Sequence, residues 1–202
     1  MTLERRRALM RESLWGRASL TVLSWLYGAG VAVRNGAYSV GLRRARHPGC
    51  RTVCIGNITT GGTGKTPAVL LAAQTLKKRG FKPAILSRGY GRKAGGRDVQ
   101  VLRDQRAASW EETGDEPWMM HRALKGLDIP ILVSPDRLAA ADTAVRFYAP
   151  DVILLDDGFG HRRLGRDADI VLLNALDPFG GGRLLPAGDL REPTSALSRA
   201  AL

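Results

Sequence analysis

With 202 residues, 44% hydrophobic and 25% charged, the chain has the make-up of one globular domain with a real core, and is too short for two of ordinary size. Its formal net charge is +12, and residues 1–48 carry +7 of it through nine arginines against Glu4 and Glu12, which suits an anionic membrane, a nucleic acid or another acidic partner. The two cysteines, Cys50 and Cys54, exclude a disulfide framework, and no CxxC or His/Cys ligand cluster points to a metal site, so reduced core thiols in a cytoplasmic protein are expected.

Residues 1–17 are basic and permit a helix. "ASLTVLSWLYGAGVAV" at 18–33 is an almost unbroken apolar run bounded by Arg17 and Arg34. A spanning helix needs about 20 apolar residues, so this run is marginal to short. Trp15, Trp25 and Tyr27 with the flanking arginines favour a helix lying at a membrane surface. The competing reading is a hydrophobic helix covering the main sheet. From Arg51 the rhythm changes. Strands are expected at 51–56, 83–87, 129–134, 151–156 and 169–174, with a small one at 98–102. Helices are expected at 65–79, 115–125 and 136–148. Short hydrophobic strands alternating with crossover-length helices imply an α/β fold with a mostly parallel sheet and helices on both faces. The domain plan is a membrane-associating segment at 1–48 followed by a nucleotide-binding domain at 49–202. The polar, glycine-rich stretch 89–113 has the composition of an active-site loop.

"CIGNITTGGTGKTPAVLL", 54–71, runs from strand through a glycine-rich turn into a helix. A strict phosphate loop, G-x-x-x-x-G-K-[ST], would have glycine where Thr59 stands. The rest of the chemistry is present. Thr59, Thr60, Gly61, Gly62, Thr63 and Gly64 form the turn, and the helix start offers unpaired N–H groups to an anion. Lys65 can reach the β- and γ-phosphates, and the Thr66 hydroxyl can ligate Mg²⁺. Gly56 is a candidate to replace the missing glycine. "DVILLDDG", 151–158, has the form of the acidic strand of such ATPases. It carries Asp156 to the sheet edge as a metal ligand, with Gly158 letting the chain turn. ATP or GTP with magnesium follows, but hydrolysis and phosphoryl transfer share these parts. Asp115, Glu116, Asp157 and His161 are all candidates to activate an acceptor, and spacing does not choose among them.

Six ordered segments narrow the choice: "GNITTGGTGKTP" (56–67), "ILSRGYGRKAGG" (85–96), "GDEP" (114–117), "SPDR" (134–137), "LLDDGFGHRRLGRDADIVLLNA" (154–175) and "GRLLPAGDLREP" (182–193). Together they resemble the tetraacyldisaccharide 4'-kinase family, from about residue 12 onward, and Thr59 in the first loop position is itself part of that resemblance. The resemblance implies transfer of the γ-phosphate of ATP to the 4'-hydroxyl of a tetraacyldisaccharide 1-phosphate, giving lipid IVA. The implied location is the cytoplasmic face of the bacterial inner membrane, with the enzyme held peripherally by its N-terminal helix. It further implies Lys65 and Thr66 on phosphates and Mg²⁺, Asp115 as general base with Glu116 beside it, and Asp156 and Asp157 as the acidic pair. His161 is an important group in the same loop, Arg88 and Tyr90 belong to a substrate-side loop, and Arg191 and Glu192 to the "REP" segment.

The chain departs from that pattern at Gly160, where glutamine is usual, at Asp189, where proline is usual, and at Asn174, where aspartate is common. Family members continue past Leu202 into a second domain that supplies a histidine partner for the base. A non-catalytic, membrane-associated nucleotide-binding module is therefore one alternative. A phosphate-loop GTPase or metallochaperone is another, against which stand "NALD" (174–177) without a guanine-recognition lysine and the lack of a His/Cys tract. Nucleic acid is disfavoured as a partner, because tryptophans and a long apolar run suit lipid better than a duplex.

Overall fold

The computed structural model describes residues 13–92, 98–103 and 109–202. The first twelve residues of the basic segment and residues 93–96 of the "SRGYG" motif region lie outside these.

The chain crosses repeatedly between two compact units. One comprises Ala45–Gly56, Gly64–Leu172 and Ala200–Leu202; the other comprises the described part of Met1–Arg44 with Asn57–Thr63 and Leu173–Arg199. The N-terminal segment joins two later pieces of chain instead of standing apart.

The larger unit is built on strands β1 (Arg51–Gly56), β2 (Pro83–Ser87), β3 (Gln100–Leu102), β4 (Ile131–Val133), β5 (Val152–Asp156) and β6 (Ala168–Val171), in the spatial order β3-β4-β2-β5-β1-β6. All neighbours are parallel except β3, which runs antiparallel to β4. Every residue of β2, β4 and β5 is buried, as expected of parallel strands covered on both faces. The core unites Ile55, Ile85, Ile131 and Leu154 of the sheet with Val69 and Met120 of the helices.

The helices of this unit are α2 (Lys65–Lys78), the short α3 (Trp110–Thr113), α4 (Asp115–Ala123) and α5 (Arg137–Tyr148), numbered after the N-terminal α1 (Leu14–Ser39). Helix α5 starts where Asp136 accepts hydrogen bonds from the N–H groups of Leu138 and Ala139, satisfying two donors that the first turn leaves open. Helix α3 was not anticipated. A reciprocal capping box between Ser109 and Glu112 supports it inside a stretch that reads as loop.

In the smaller unit, helix α1 runs over Leu14–Ser39, capped by Ser13, whose Oγ accepts from the Gly16 N–H at 3.0 Å. It is longer than the apolar run because it continues through Arg34 and Asn35, whose side chains both bond to Glu192. One face is closed by Gly16, Leu20, Ser24 and Val31; Ser24 donates to the Leu184 carbonyl at 2.8 Å. The remainder leaves Leu14, Trp15, Val22, Trp25, Leu26 and Val33 exposed. Among the described residues no helix is long and apolar enough to cross a membrane.

Candidate functional site

The parallel strands end their carboxyl edges together, and ligands of such sheets bind beyond that edge. Strand β1 leads into the glycine-rich turn, and α2 then begins at Lys65 with Gly64 as its N-cap at φ +78°, a left-handed conformation that glycine adopts without steric cost. Strand β5 ends at Asp156. The next residue, Asp157, takes φ +49° and donates its N–H to the Ile55 carbonyl at 3.0 Å, tying the acidic turn to β1. Across this join the Lys65 Nζ lies 3.9 Å from Asp157 Oδ1.

Two glycines near this join act differently from expectation. A Cβ on Gly56 would stand 2.8 Å from the Phe159 Cβ, so Gly56 is required by the close passage of the chain after the acidic pair, not as a substitute phosphate-loop glycine. A Cβ on Gly158 would meet Leu155 Cδ2 at 2.1 Å. The left-handed turn itself falls on Asp157, while Gly158 provides room for Leu155.

Asp156 is 3% exposed, with the Ser87 hydroxyl 3.5 Å from its Oδ2. Its carboxyl is pushed up to about 7, first by burial and then by the negative charges of Glu116 and Asp157, against the pull of Arg137 and Lys65. Arg137 faces the same pair, yet it is pushed down to about 10 by burial and by Arg88. Mutual attraction alone would move both groups the other way, so desolvation outweighs the pairing. Glu116, Asp156, Asp157, Lys65, Arg88 and Arg137 thus share one electrostatic neighbourhood.

Arg137 was missed in the sequence, although it closes the quoted "SPDR". It is 4% exposed; one Nη–H donates to the Ser134 carbonyl at 2.8 Å, and the buried Nε–H has no hydrogen-bond partner among the described residues. The available signal was its place: an arginine one residue after a helix-capping aspartate, at the carboxyl edge of a buried strand.

Asp115 and Glu116 open α4 and are exposed. Their turn is interlocked with the Arg88–Tyr90 loop, because a Cβ on Gly114 would lie 2.5 Å from the Tyr90 carbonyl oxygen. Arg88 and Tyr90 are themselves exposed. His161 is held near 4 by burial and by Arg137, Arg166 and Arg163, so its ring is neutral at pH 7, and its buried Nε2 has no hydrogen-bond partner among the described residues. Gly160, where the family resemblance implies a glutamine, directly precedes it in the chain. Arg166 donates to the Gly158 and Phe159 carbonyls at 2.7 and 3.2 Å, fixing the turn between the acidic pair and His161.

The smaller unit contains the remaining loop residues. Thr59 is 6% exposed and forms an antiparallel bridge with Leu190, an extended conformation that explains why a β-branched residue replaces glycine there. The Thr60 N–H donates to the Asp189 carbonyl at 2.7 Å, Gly61 and Gly62 are exposed, and the buried Thr63 hydroxyl has no partner among the described residues. Of the two residues expected on the substrate side, Arg191 is half-buried and Glu192 is buried. Arg191 bonds to Asn57, and Glu192, 2% exposed, is bound by Arg34, by Asn35 at 2.9 Å and by Arg199 at 3.6 Å.

The donor set fits a magnesium–nucleotide pair. Open N–H groups and Lys65 suit phosphate, and a buried carboxyl beside two further carboxyls suits a cation. No three His, Cys, Asp or Glu among the described residues are arranged as a closed metal cage. Magnesium takes one or two protein oxygens and completes its shell with water and phosphate, so Asp156 and the Thr66 hydroxyl would suffice to hold it.

The family described as Tetraacyldisaccharide-1-P 4'-kinase, LpxK, matches residues 16–202. The chain belongs to this family. The tetraacyldisaccharide 4'-kinase of Elusimicrobium minutum is 49% identical over all of this chain and 54% of its own length. That of Syntrophus aciditrophicus is 47% identical over 90% of this chain and 48% of its own. The crystal structure of LpxK from Aquifex aeolicus, described as an "apo" form in complex with ATP, superposes with a TM-score of 0.81 at 38% identity, covering 91% of this chain and 56% of that one. This member of the kinase family thus spans about half the length of the curated relatives it matches.

Proposed function

We propose that the chain serves ATP-dependent phosphorylation of the 4'-hydroxyl of tetraacyldisaccharide 1-phosphate, giving lipid IVA. The observation carrying this reading is the join of Lys65 at the head of α2 to Asp157, next to the buried Asp156, whose carboxyl is pushed up to about 7. The relatives bear the name of this kinase, and the Aquifex structure is described with ATP.

In this reading the turn before Lys65 and the α2 N–H groups hold the β- and γ-phosphates, and Arg88 and Arg137 add positive charge at the same edge. Thr66 and Asp156 would hold Mg²⁺, which when bound neutralises phosphate charge. Asp115 takes the proton of the 4'-hydroxyl as its oxygen bonds to the γ-phosphorus; the bond to the β–γ bridging oxygen breaks and ADP leaves. Glu116 and Asp157 set the local charge. His161, being neutral, acts through hydrogen bonding and not as an imidazolium. Helix α1 lies peripherally on the cytoplasmic face of the inner membrane, with Trp15 and Trp25 at the interface and the arginines toward anionic heads.

Incubation of the chain with γ-labelled ATP, Mg²⁺ and the detergent-dispersed disaccharide lipid tests the reaction. Label in the lipid, lost on chelation, is expected. ATP bound without transfer would replace the kinase by a nucleotide-binding module.

A further inference from the structure

Asp157 takes a left-handed backbone at φ +49°, which a non-glycine residue keeps only where its surroundings over-determine it. The residue held in this way carries the carboxylate that stands 3.9 Å from the Lys65 ammonium. Directly after it, the Gly158 carbonyl accepts from the His161 N–H at 2.8 Å and from Arg166 Nη1 at 2.7 Å. The same nitrogen donates to the Phe159 carbonyl at 3.2 Å and lies 3.4 Å from Asp169 Oδ1. One guanidinium nitrogen gathers the turn that leads from the acidic pair to His161.

Arg166 is held in turn by its surroundings. Its side chain is 8% exposed and that of Asp169 is 11% exposed. On one side of it the Gly165 N–H donates to the Arg46 carbonyl at 2.9 Å. On the other, Asp167 accepts from the Thr52 N–H at 2.7 Å and donates its own N–H to the Thr52 carbonyl at 2.8 Å. The Cys54 thiol, pushed up to about 12 by burial first, against the pull of Arg166, stays neutral at pH 7 and bonds to Asp169. A Cβ on Gly158 would lie 3.2 Å from that sulfur, so the thiol packs against the acidic turn itself. Taking a guanidinium and a carboxylate out of water is costly, and a surface pair would serve stability as well. What burial adds is a charge-assisted grip on two carbonyls where water cannot compete.

We propose that Arg166 is a positioning residue for phosphoryl transfer: its bonds to the Gly158 and Phe159 carbonyls set where Asp157 and His161 stand relative to Lys65, and Asp169 holds it there. This rests on the kinase reading. Arg166 acts through the backbone of the turn and not on the phosphate.

Removing Arg166 alone would strand the buried charge of Asp169. The test therefore combines Arg166→Gln with Asp169→Asn, and sets beside this neutral pair Arg166→Lys, which keeps a cation with several N–H donors. Amide exchange is followed by NMR on the full chain without nucleotide. In the neutral pair the Asp157 and His161 amides should exchange about tenfold faster than in wild type, with those of β5 unchanged. With γ-labelled ATP, Mg²⁺ and the disaccharide lipid, kcat should fall roughly 10²-fold, the cost of a misplacement on the order of 1 Å, while KM for ATP stays near its wild-type value. Arg166→Lys should recover about tenfold of that loss. Unaltered exchange at Asp157 and His161, equally faster exchange throughout β5, an unaltered kcat, a loss carried by KM alone, or no recovery with lysine overturns the proposal. Wild-type protein that transfers no label ends the kinase reading instead, and the exchange measurement then decides by itself whether Arg166 holds the turn.

Discussion

Asp156→Asn should make the metal-free protein more stable at pH 8 and leave it nearly unchanged at pH 4. The Asp156 carboxyl is raised from 3.8 to about 7 by burial and by Glu116 and Asp157. The folded state therefore holds a proton that the unfolded chain has already released. A group raised in this way contributes fully below its unfolded value, and the contribution is lost as pH climbs through the folded one. Wild-type stability relative to the asparagine variant should thus fall between about pH 4 and 7 and level off above. At about 1.36 kcal/mol per pH unit, the interval corresponds to about 4 kcal/mol as an upper bound. Asparagine keeps the shape and the contact with Ser87 but removes the charge that Glu116 and Asp157 oppose, so a gain of about 1–3 kcal/mol at pH 8 is expected.

Urea unfolding of both proteins in chelator, at half-unit steps from pH 4 to 8.5, measures the gap directly. A constant gap, or a variant less stable than wild type at pH 8, would refute the reasoning, because the buried carboxylate would then be a stabilising ion-pair partner of Arg137. Repeating the series with Mg²⁺ and ATP should narrow the gap, since a cation beside Asp156 relieves the same repulsion in wild type alone.

Gly158→Ala should cost about 1–3 kcal/mol in urea unfolding, because its Cβ would fall 2.1 Å from Leu155, and adding Leu155→Ala should recover part of that loss. Glu192→Gln should destabilise the protein by about 3 kcal/mol, since it removes the shared counter-charge of Arg34 and Arg199; an unchanged unfolding midpoint would return Glu192 to a ligand-facing role. Asp115→Ala should slow phosphate transfer by roughly 10²–10⁴-fold while leaving equilibrium ATP binding intact, and equal losses in both would remove it as the base.

The sheet was legible in the sequence because short apolar runs, such as Val152–Leu155, that end at polar or glycine residues have few other uses. The strand order was not, since pairing β1 between β5 and β6 depends on contacts remote in sequence. The glycine-rich turn was legible as the opening of a helix at Lys65. Gly56 and Gly158 were misread, because sequence reveals a glycine but not whether a turn or a close neighbour demands it. Arg137 was overlooked because arginine is rarely buried, so a buried one cannot be inferred from composition alone. Helix α1 outran its apolar stretch because the polar pair Arg34 and Asn35 is held by Glu192, a partner more than 150 residues away.

Glu192 and Asp156 show why burial of an acid is by itself an ambiguous sign. Both are almost wholly buried, at 2% and 3% exposure, and both stand in segments that sequence reading assigned to the site. Around Glu192 the chain supplies Arg34, Asn35 and Arg199, so its charge is balanced by the protein itself and a further cation would have to displace one of them. Around Asp156 the chain supplies two more carboxyls, and its single buried arginine fails to offset the loss of water. An added cation therefore lowers the energy of the second environment and raises that of the first. The distinction favours the metal role proposed for Asp156 over any such role for Glu192.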